Sequence, residues 1–294
     1  MQFWAPFAEE NFVEILAVFN ARYPDVEVAL TPLRPEDSLQ RIATEAAAGS
    51  TPDVDALSGN IDVFAELNRR GLVDEAYDWA ALGVPAELID EATNHVRVYR
   101  VPLGIAYNMS LTNAATLPNT WEDLLDPEWA GQIITDPRGI PFNQLAMEWG
   151  AERTVDFVTR FKANSPVIIR GGTAGMLAVV GGEATMTTGG RSDSERELQR
   201  DGAPIAMKYL DVIPTVDFYN FIMEASPRKN AAACFIGWFV SEEGQETQRR
   251  IEFKTNETIP PDAPAGATFV AIDSAEDADL VRSVGEQLQA VLAD

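Results

Sequence analysis

Gln2-Phe3-Trp4-Ala5-Pro6-Phe7-Ala8-Glu9-Glu10-Asn11-Phe12-Val13-Glu14-Ile15-Leu16-Ala17-Val18-Phe19 opens the chain, and its reading decides the fold class. Residues 2–4 form a short apolar strand. Phe12, Ile15, Leu16 and Phe19 then recur at i, i+3, i+4 and i+7, which lines one face of a helix and predicts one over 10–23. The same alternation continues. Residues 26–30 read as a strand. Residues 36–48 read as a helix with Leu39, Ile42, Ala43 and Ala46 inward and Gly49 as its C-terminal stop. Residues 54–57 read as a strand, and 61–70 as a helix stopped at Gly71. The order β-α-β-α-β-α implies an α/β protein with a mostly parallel sheet flanked by helices.

Beyond a looser stretch ending near Pro85, residues 96–101 and 105–109 read as paired strands around Pro102-Leu103-Gly104. A second α/β block follows. Thr120 and Asp123 make a capping box for a short helix. Strands are expected over 131–135, 167–169, 184–187 and 205–209, and helices over 142–149, 152–161, 173–180 and 193–200. After 212–221 the chain turns helical, over 230–240, 242–251 and 278–293. This tail needs a sheet to cover, and the first block is its natural host. The expected lobes are therefore 1–103 with 218–294, and 104–217. The chain then crosses twice, near 102–109 and 211–219. Two crossings make a hinge, and the cleft between lobes becomes the expected ligand site.

Composition narrows the function. The chain has 294 residues, 46% of them hydrophobic, enough for a sizeable core. No apolar run approaches the ~18–20 residues of a membrane helix, so a soluble chain is expected. Acidic residues outnumber basic ones 46 to 22, for a net charge of −24, which argues against nucleic-acid binding. One cysteine, Cys234, and one histidine, His95, exclude a Cys/His zinc site and an intrachain disulfide. Cys234 reads as a buried structural thiol in a helix, and His95 as a solvated residue of the turn Thr93-Asn94-His95. The N-terminus has neither a basic region nor an apolar signal core, so either the protein is cytoplasmic or an export signal has been removed.

Catalytic motifs are absent: there is no G-x-S-x-G elbow and no phosphate loop of the G-x-x-x-x-G-K-[ST] type. Two glycine turns do carry a mechanism. Arg170-Gly171-Gly172-Thr173 joins a strand to a helix, and the helix's first N–H groups suit an anionic or polar oxygen. Thr187-Thr188-Gly189-Gly190-Arg191-Ser192 repeats the arrangement, with Arg191 able to pair bidentately with a carboxylate or phosphate. The equivalent strand ends of the first block are Trp4-Ala5-Pro6-Phe7 and Leu57-Ser58-Gly59-Asn60. The candidate ligand residues are Trp4, Ala5, Glu9, Ser58, Gly59 and Asn60 from the first lobe and Asn143, Gly171, Gly172, Thr173, Gly190 and Arg191 from the second. Tyr107, Asp217 and Tyr219 join them at the crossings.

Several motifs resemble those of the extracellular solute-binding proteins of ABC importers, in the two-lobed group that includes ferric-iron binders. Pro52-Asp53-Val54 followed by Leu57-Ser58 is similar to the family's PDV strand, and Leu72-Val73-Asp74 to its next step. Val101-Pro102-Leu103-Gly104-Ile105-Ala106-Tyr107-Asn108 resembles its first crossover. Pro118-Asn119-Thr120-Trp121-Glu122-Asp123-Leu124-Leu125-Asp126-Pro127-Glu128-Trp129-Ala130-Gly131 resembles P-x-T-W-x-D-L-L-D-P-x-W-x-G, the most specific of the set. Phe239-Val240-Ser241-Glu242-Glu243-Gly244-Gln245 resembles a late helix junction. The resemblance spans nearly the whole chain. It implies the type II two-lobed periplasmic-binding-protein fold, a periplasmic or extracellular location, no cofactor and no catalysis. It also implies capture of a small ligand by lobe closure, and delivery to a membrane permease with its ATPase by a monomer.

The resemblance leaves the ligand open. Ferric binders of this group use an adjacent tyrosine pair after the strand matching 184–187, where this chain has Thr188-Gly189-Gly190-Arg191. No tyrosine lies between Tyr107 and Tyr209. An anionic or oxygen-rich organic ligand is expected: a phosphonate, a sugar phosphate or a carboxylate. The net charge argues for the alternative, a polyamine held by Trp4, Glu9, Asp217 and Tyr219; a metal ion on the same fold is a further one. A ligand sensor docking on a receptor is a third class. An enzyme of this architecture would need a nucleophile or base that the sequence does not supply.

Overall fold

The computed structural model describes residues 1–90, 94–256, 260, 262–272 and 274–293. The chain forms two units, Met1–Arg100 with Asp217–Glu257, and Val101–Val216 with Thr258–Asp294. Thr93, part of the turn expected around His95, lies outside the described residues.

The first unit follows the β-α-β-α-β-α order: β1 (Gln2–Ala5), α1 (Glu9–Arg22), β2 (Ala29–Pro32), α2 (Pro35–Ala47), β3 (Ala56–Gly59) and α3 (Ile61–Arg69). β1 pairs in parallel with β2 and β3. The strand β9 (Val212–Ile222) closes the far edge antiparallel to β3, with Ser58 opposite Asn220 and Gly59 opposite Tyr219. Alternation along β1 sends Phe3 to one face and Trp4 to the other. Phe3 meets Phe12 of α1 at 5.9 Å and Phe235 of α8 (Lys229–Phe239) at 5.2 Å. Arg41 of α2 lies 4.3 Å over the Trp4 ring on the other face. The junction to α9 (Glu242–Glu252) shows why Ser241, Gly244 and Gln245 stand where they do. Ser241 Oγ caps α9 by accepting from Gly244 N at 3.2 Å, and a methyl at Gly244 would overlap the Trp238 carbonyl. Gln245 Nε2 donates to the Val98 carbonyl at 2.9 Å.

Two strands carry the chain between units, β9 and β4 (Val96–Asn108), and it changes unit a third time after residue 257, beyond the two crossings expected. β4 is one continuous strand; the paired strands expected around Pro102-Leu103-Gly104 do not form. Gly104 lies within it, where a methyl would sit 2.7 Å from the Lys208 carbonyl. In the second unit β4 lies between β8 (Ile205–Lys208) and β7 (Met186–Arg191), antiparallel to both. Beyond β7, β5 (Ile133–Thr135) and β6 (Val167–Ile168) follow in parallel, and β10 (Thr268–Val270) pairs in parallel with β9. Both sheets are therefore mixed: the antiparallel pairings β3–β9, β4–β7 and β4–β8 all involve a crossing strand. The second unit's helices are α4 (Phe142–Trp149), α5 (Ala151–Lys162), α6 (Gly172–Val180), α7 (Ser192–Arg200) and α10 (Ala275–Ala293).

The Thr120/Asp123 box forms as read. Asp123 Oδ2 accepts from the Asn119 and Thr120 N–H groups at 2.9 Å each, and Thr120 Oγ1 accepts from Asp123 N at 3.2 Å. It sets Trp121, whose indole N–H donates to the Val212 carbonyl at 2.8 Å, at the head of a core holding Phe142, Phe157 and Phe161.

Three expectations are corrected. The tail divides: α8 and α9 cover the first unit, whereas residues 258–294 belong to the second, not to a lobe 218–294. Val284, Leu288 and Leu292 recur every fourth residue on α10 and complete the core of α4 and α5. Glycine allows the close approach, because a methyl at Gly139 would sit 2.7 Å from Leu288 Cβ. His95 is buried rather than solvated, its ring 4.1 Å from Phe64 and 4.4 Å from Tyr219. Burial lowers its pKa to about 4, against a smaller upward pull from Asp90. Cys234 is half-buried and faces a groove. Among the described residues, no helix is long and apolar enough to cross a membrane.

Candidate functional site

In the second unit, β5, β6 and β7 run parallel, so their carboxyl ends share one edge, the usual ligand edge of an open α/β sheet. Thr135 and Thr188 hydroxyls, 2.9 Å apart, tie β5 to β7 there. Asp136 follows β5 directly and is buried. Its Oδ2 accepts from the Gly171 N–H at 2.8 Å and from Arg138 Nη2 at 2.7 Å; its Oδ1 accepts from Arg138 N at 2.8 Å and Nε at 3.0 Å. Burial alone would raise this carboxyl, but the bonds from Arg138 and Gly171 outweigh it and hold the pKa below the ordinary value. Asp136 thus fixes the turn that starts α6.

That turn has a glycine reason. Gly171 adopts φ +103°, open to glycine at little cost. A methyl on Gly172 would sit 2.8 Å from the Gly189 carbonyl, and one on Gly190 2.7 Å from Ala106 N. The glycines therefore let α6 press onto β7, and β7 onto β4, which is a packing role. Among the described residues no side chain caps α6, which leaves its first-turn N–H groups without a side-chain acceptor and with helix-dipole support. Thr173 is exposed in that turn, and so is Arg170 just before it.

Arg191 is the last residue of β7, because 188–191 is strand and not turn. Its stem passes α6's start: a methyl on Gly172 would lie 3.5 Å from Arg191 Cδ. Its guanidinium is half-buried and forks onto Asp193, Nε to Oδ1 at 3.2 Å and Nη2 to Oδ2 at 2.9 Å. The second unit thus gathers Gly171, Gly172, Thr173, Gly190 and Arg191. Thr188 of the second turn belongs with them, and so do Asp136 and Arg138, which the sequence reading does not include. Their signal was available, since Asp136-Pro137-Arg138-Gly139 ends a strand as the two glycine turns do.

Two other second-unit candidates sit elsewhere. Asn143 lies on α4 facing α10, where a methyl on Gly285 would be 3.4 Å from its Nδ2. Tyr107 is packed in the core with Trp121 and Leu145. Burial pushes its phenol up, with help from Glu195, and does the same more strongly at Tyr209.

In the first unit, Trp4, Ala5, Ser58 and Gly59 are buried at the carboxyl ends of β1 and β3. Ser58 Oγ finds no hydrogen-bond partner among the described residues. Asn60 Oδ1 caps α3, accepting from Val63 N at 3.2 Å. Glu9 is exposed in α1's first turn. Asp217 is buried and bound by both ends of the Arg100 guanidinium, Nε to Oδ1 at 2.7 Å and Nη2 to Oδ2, with Arg97 3.9 Å away. A carboxylate so matched is spent for a cationic ligand. Tyr219 is buried edge-on to His95.

A family model described as bacterial extracellular solute-binding protein matches residues 14–261. No curated protein matches the sequence. Among solved structures, iron-bound HitA from Pseudomonas aeruginosa is similar at 20% identity and TM-score 0.75, over 97% of this chain and 99% of that one. A ferric binding protein from Campylobacter jejuni is similar at 16% identity and TM-score 0.78, over 99% of each chain. AfuA from Actinobacillus pleuropneumoniae, solved with fructose-6-phosphate bound, is similar at 19% identity and TM-score 0.74, over 96% of each chain. At these identities the likeness is one of fold.

Proposed function

We propose, from the premise that this chain belongs to the bacterial extracellular solute-binding proteins, that its cargo is a small organic anion such as a sugar phosphate, phosphonate or carboxylate. As a member of that family it is the solute-binding component of an ABC importer and not an enzyme. Such proteins hand their cargo to a membrane permease with its ATPase.

One observation carries the anion reading. The start of α6 has no side-chain cap and stands beside Arg170, Arg191 and Arg138. Helix N–H groups supply directional donors, and arginines supply forked charge. Asp136 and Asp193 already neutralise two of these arginines, so they act as oriented donors, while exposed Arg170 forms no ion pair with a described residue. The binding of fructose-6-phosphate by AfuA, on the same fold, supports this class. Ferric iron held by phenolates fits poorly, because burial raises both Tyr107 and Tyr209 and opposes their ionisation.

The test is a thermal-shift screen at fixed ionic strength with sugar phosphates, phosphonates, carboxylates, polyamines and ferric iron. A ligand at 100 times its Kd adds about 2.7 kcal/mol, or roughly 5–10 °C for a chain of this size. The expected outcome is a shift from one anion class, reduced at least fivefold in affinity by Arg170→Ala. A shift from polyamines or iron alone overturns the anion reading.

A further inference from the structure

The first unit contains a groove of about 760 Å³. It is built from the end of α1 (Tyr23), Tyr77, the face of α8 (Cys234, Trp238) and the start of α9 (Glu242, Glu243). α1 runs back along the sheet from the carboxyl end of β1, so its last residues stand near the opposite edge from Ala5 and Ser58. The groove is thus separate from the strand-end surfaces discussed above.

Its chemistry is one-sided. Tyr23, Tyr77 and Trp238 line it with aromatic surface, and Leu82 and Ala233 add aliphatic surface. Two of its aromatic donors are spent within the walls. The Trp238 indole N–H donates to Glu243 Oε2 at 2.8 Å, and the Tyr77 hydroxyl to Asn230 Oδ1 at 3.2 Å. Beside the Arg22 guanidinium and the Asn230 amide, what the walls offer a visitor is π-faces and carboxylate oxygen. Glu242 is exposed and forms no ion pair with a described residue. The rim already shows the interaction at work: Arg22 lies 5.9 Å over the Tyr23 ring, so a guanidinium rests on this aromatic surface. Cys234 contributes shape, since burial raises its thiol pKa and keeps it protonated.

We propose that this groove binds a small organic cation with an apolar body, such as an arylalkyl ammonium or guanidinium compound. Aromatic faces attract such cations through the ring quadrupole, and the carboxylates supply the counter-charge. The volume falls within the usual range of small-molecule pockets.

The test is calorimetric titration of the full chain with 2-phenylethylammonium, with neutral 3-phenylpropanol and anionic 3-phenylpropionate as comparators. Saturable binding of the ammonium is expected, at least fivefold tighter than the alcohol and weakened by salt. Glu242→Gln and Tyr77→Leu, both at the groove's rim, should each weaken it at least fivefold while circular dichroism remains native. Equal affinity for ammonium and alcohol would reduce the groove to a hydrophobic trough and overturn the proposal. So would an isotherm that neither variant alters, or no binding at 10 mM. Because both variants lie in the first unit's groove, failure here leaves the anion reading of the second unit intact, and success does not depend on it.

Discussion

The buried imidazole of His95 ties stability to pH in a definite direction. Its folded-state pKa is about 4, whereas an unfolded imidazole titrates near 6.5. Between those values the unfolded chain binds the proton and the folded chain does not. Its contribution is therefore complete above pH ~6.5 and is lost as pH falls through 4, by roughly 3 kcal/mol in all. Chemical denaturation of wild type and His95→Phe at pH 7 and pH 4.5 should show a shallower loss in the variant. Equal losses would mean that acid weakening arises from carboxylates alone. The polar tripeptide around His95 predicts a solvated ring. Nothing local shows that Phe64 and Tyr219, far off in sequence, enclose its ring. Arg191 teaches the same lesson. Its place beside α6's glycines was legible, but its fork onto Asp193, two residues on, was not.

Elements were more legible than site residues, and the motifs explain why. Thr120-Trp121 and Asp123 set a turn on a core tryptophan; Ser241, Gly244 and Gln245 fasten α8 to α9. These are the most recognisable stretches, and they are fold staples set away from the glycine turns; the one candidate that Trp121 packs with, Tyr107, is itself a core residue. They therefore specify the family while saying nothing of the cargo. Periodicity gave helices well, since apolar spacing is local. It could not say which sheet α10 covers, because Val284, Leu288 and Leu292 suit any apolar host. Gly139→Ala tests that docking. It forces a side chain into φ +76° against Leu288, and should cost roughly 2–4 kcal/mol from backbone strain and overpacking together. Gly49→Ala has the same φ but nothing within 4 Å, and isolates the backbone share. If the two variants lose equal stability by urea melts, α10 does not press on Gly139.

At the scale of the whole molecule, 46 acidic against 22 basic residues leave a net charge of −24. Many of the cations are already matched, as at Arg100–Asp217 and Arg228–Asp55, so the surplus sits as unpaired surface carboxylate. Like charges repel across the compact chain more than across the expanded one. Added salt shortens the Debye length from ~10 Å at 0.1 M to ~3 Å at 1 M. The melting temperature should therefore rise by a few degrees between 0.05 and 0.5 M KCl. A flat or falling curve by calorimetry would show that the carboxylates are locally compensated.

The interleaving of the two units along the chain bears on synthesis. The first unit's sheet lacks β9, and its helical layer lacks α8 and α9, until residues 217–257 exist; the second unit's core lacks Val284, Leu288 and Leu292 until α10 is made. Folding of nascent chains proceeds unit by unit as each becomes complete. Here neither unit is complete on an emerging ribosomal product until its final quarter appears. Cooperative closure of either core therefore waits on the last stretch of chain to be synthesised, whichever unit folds first.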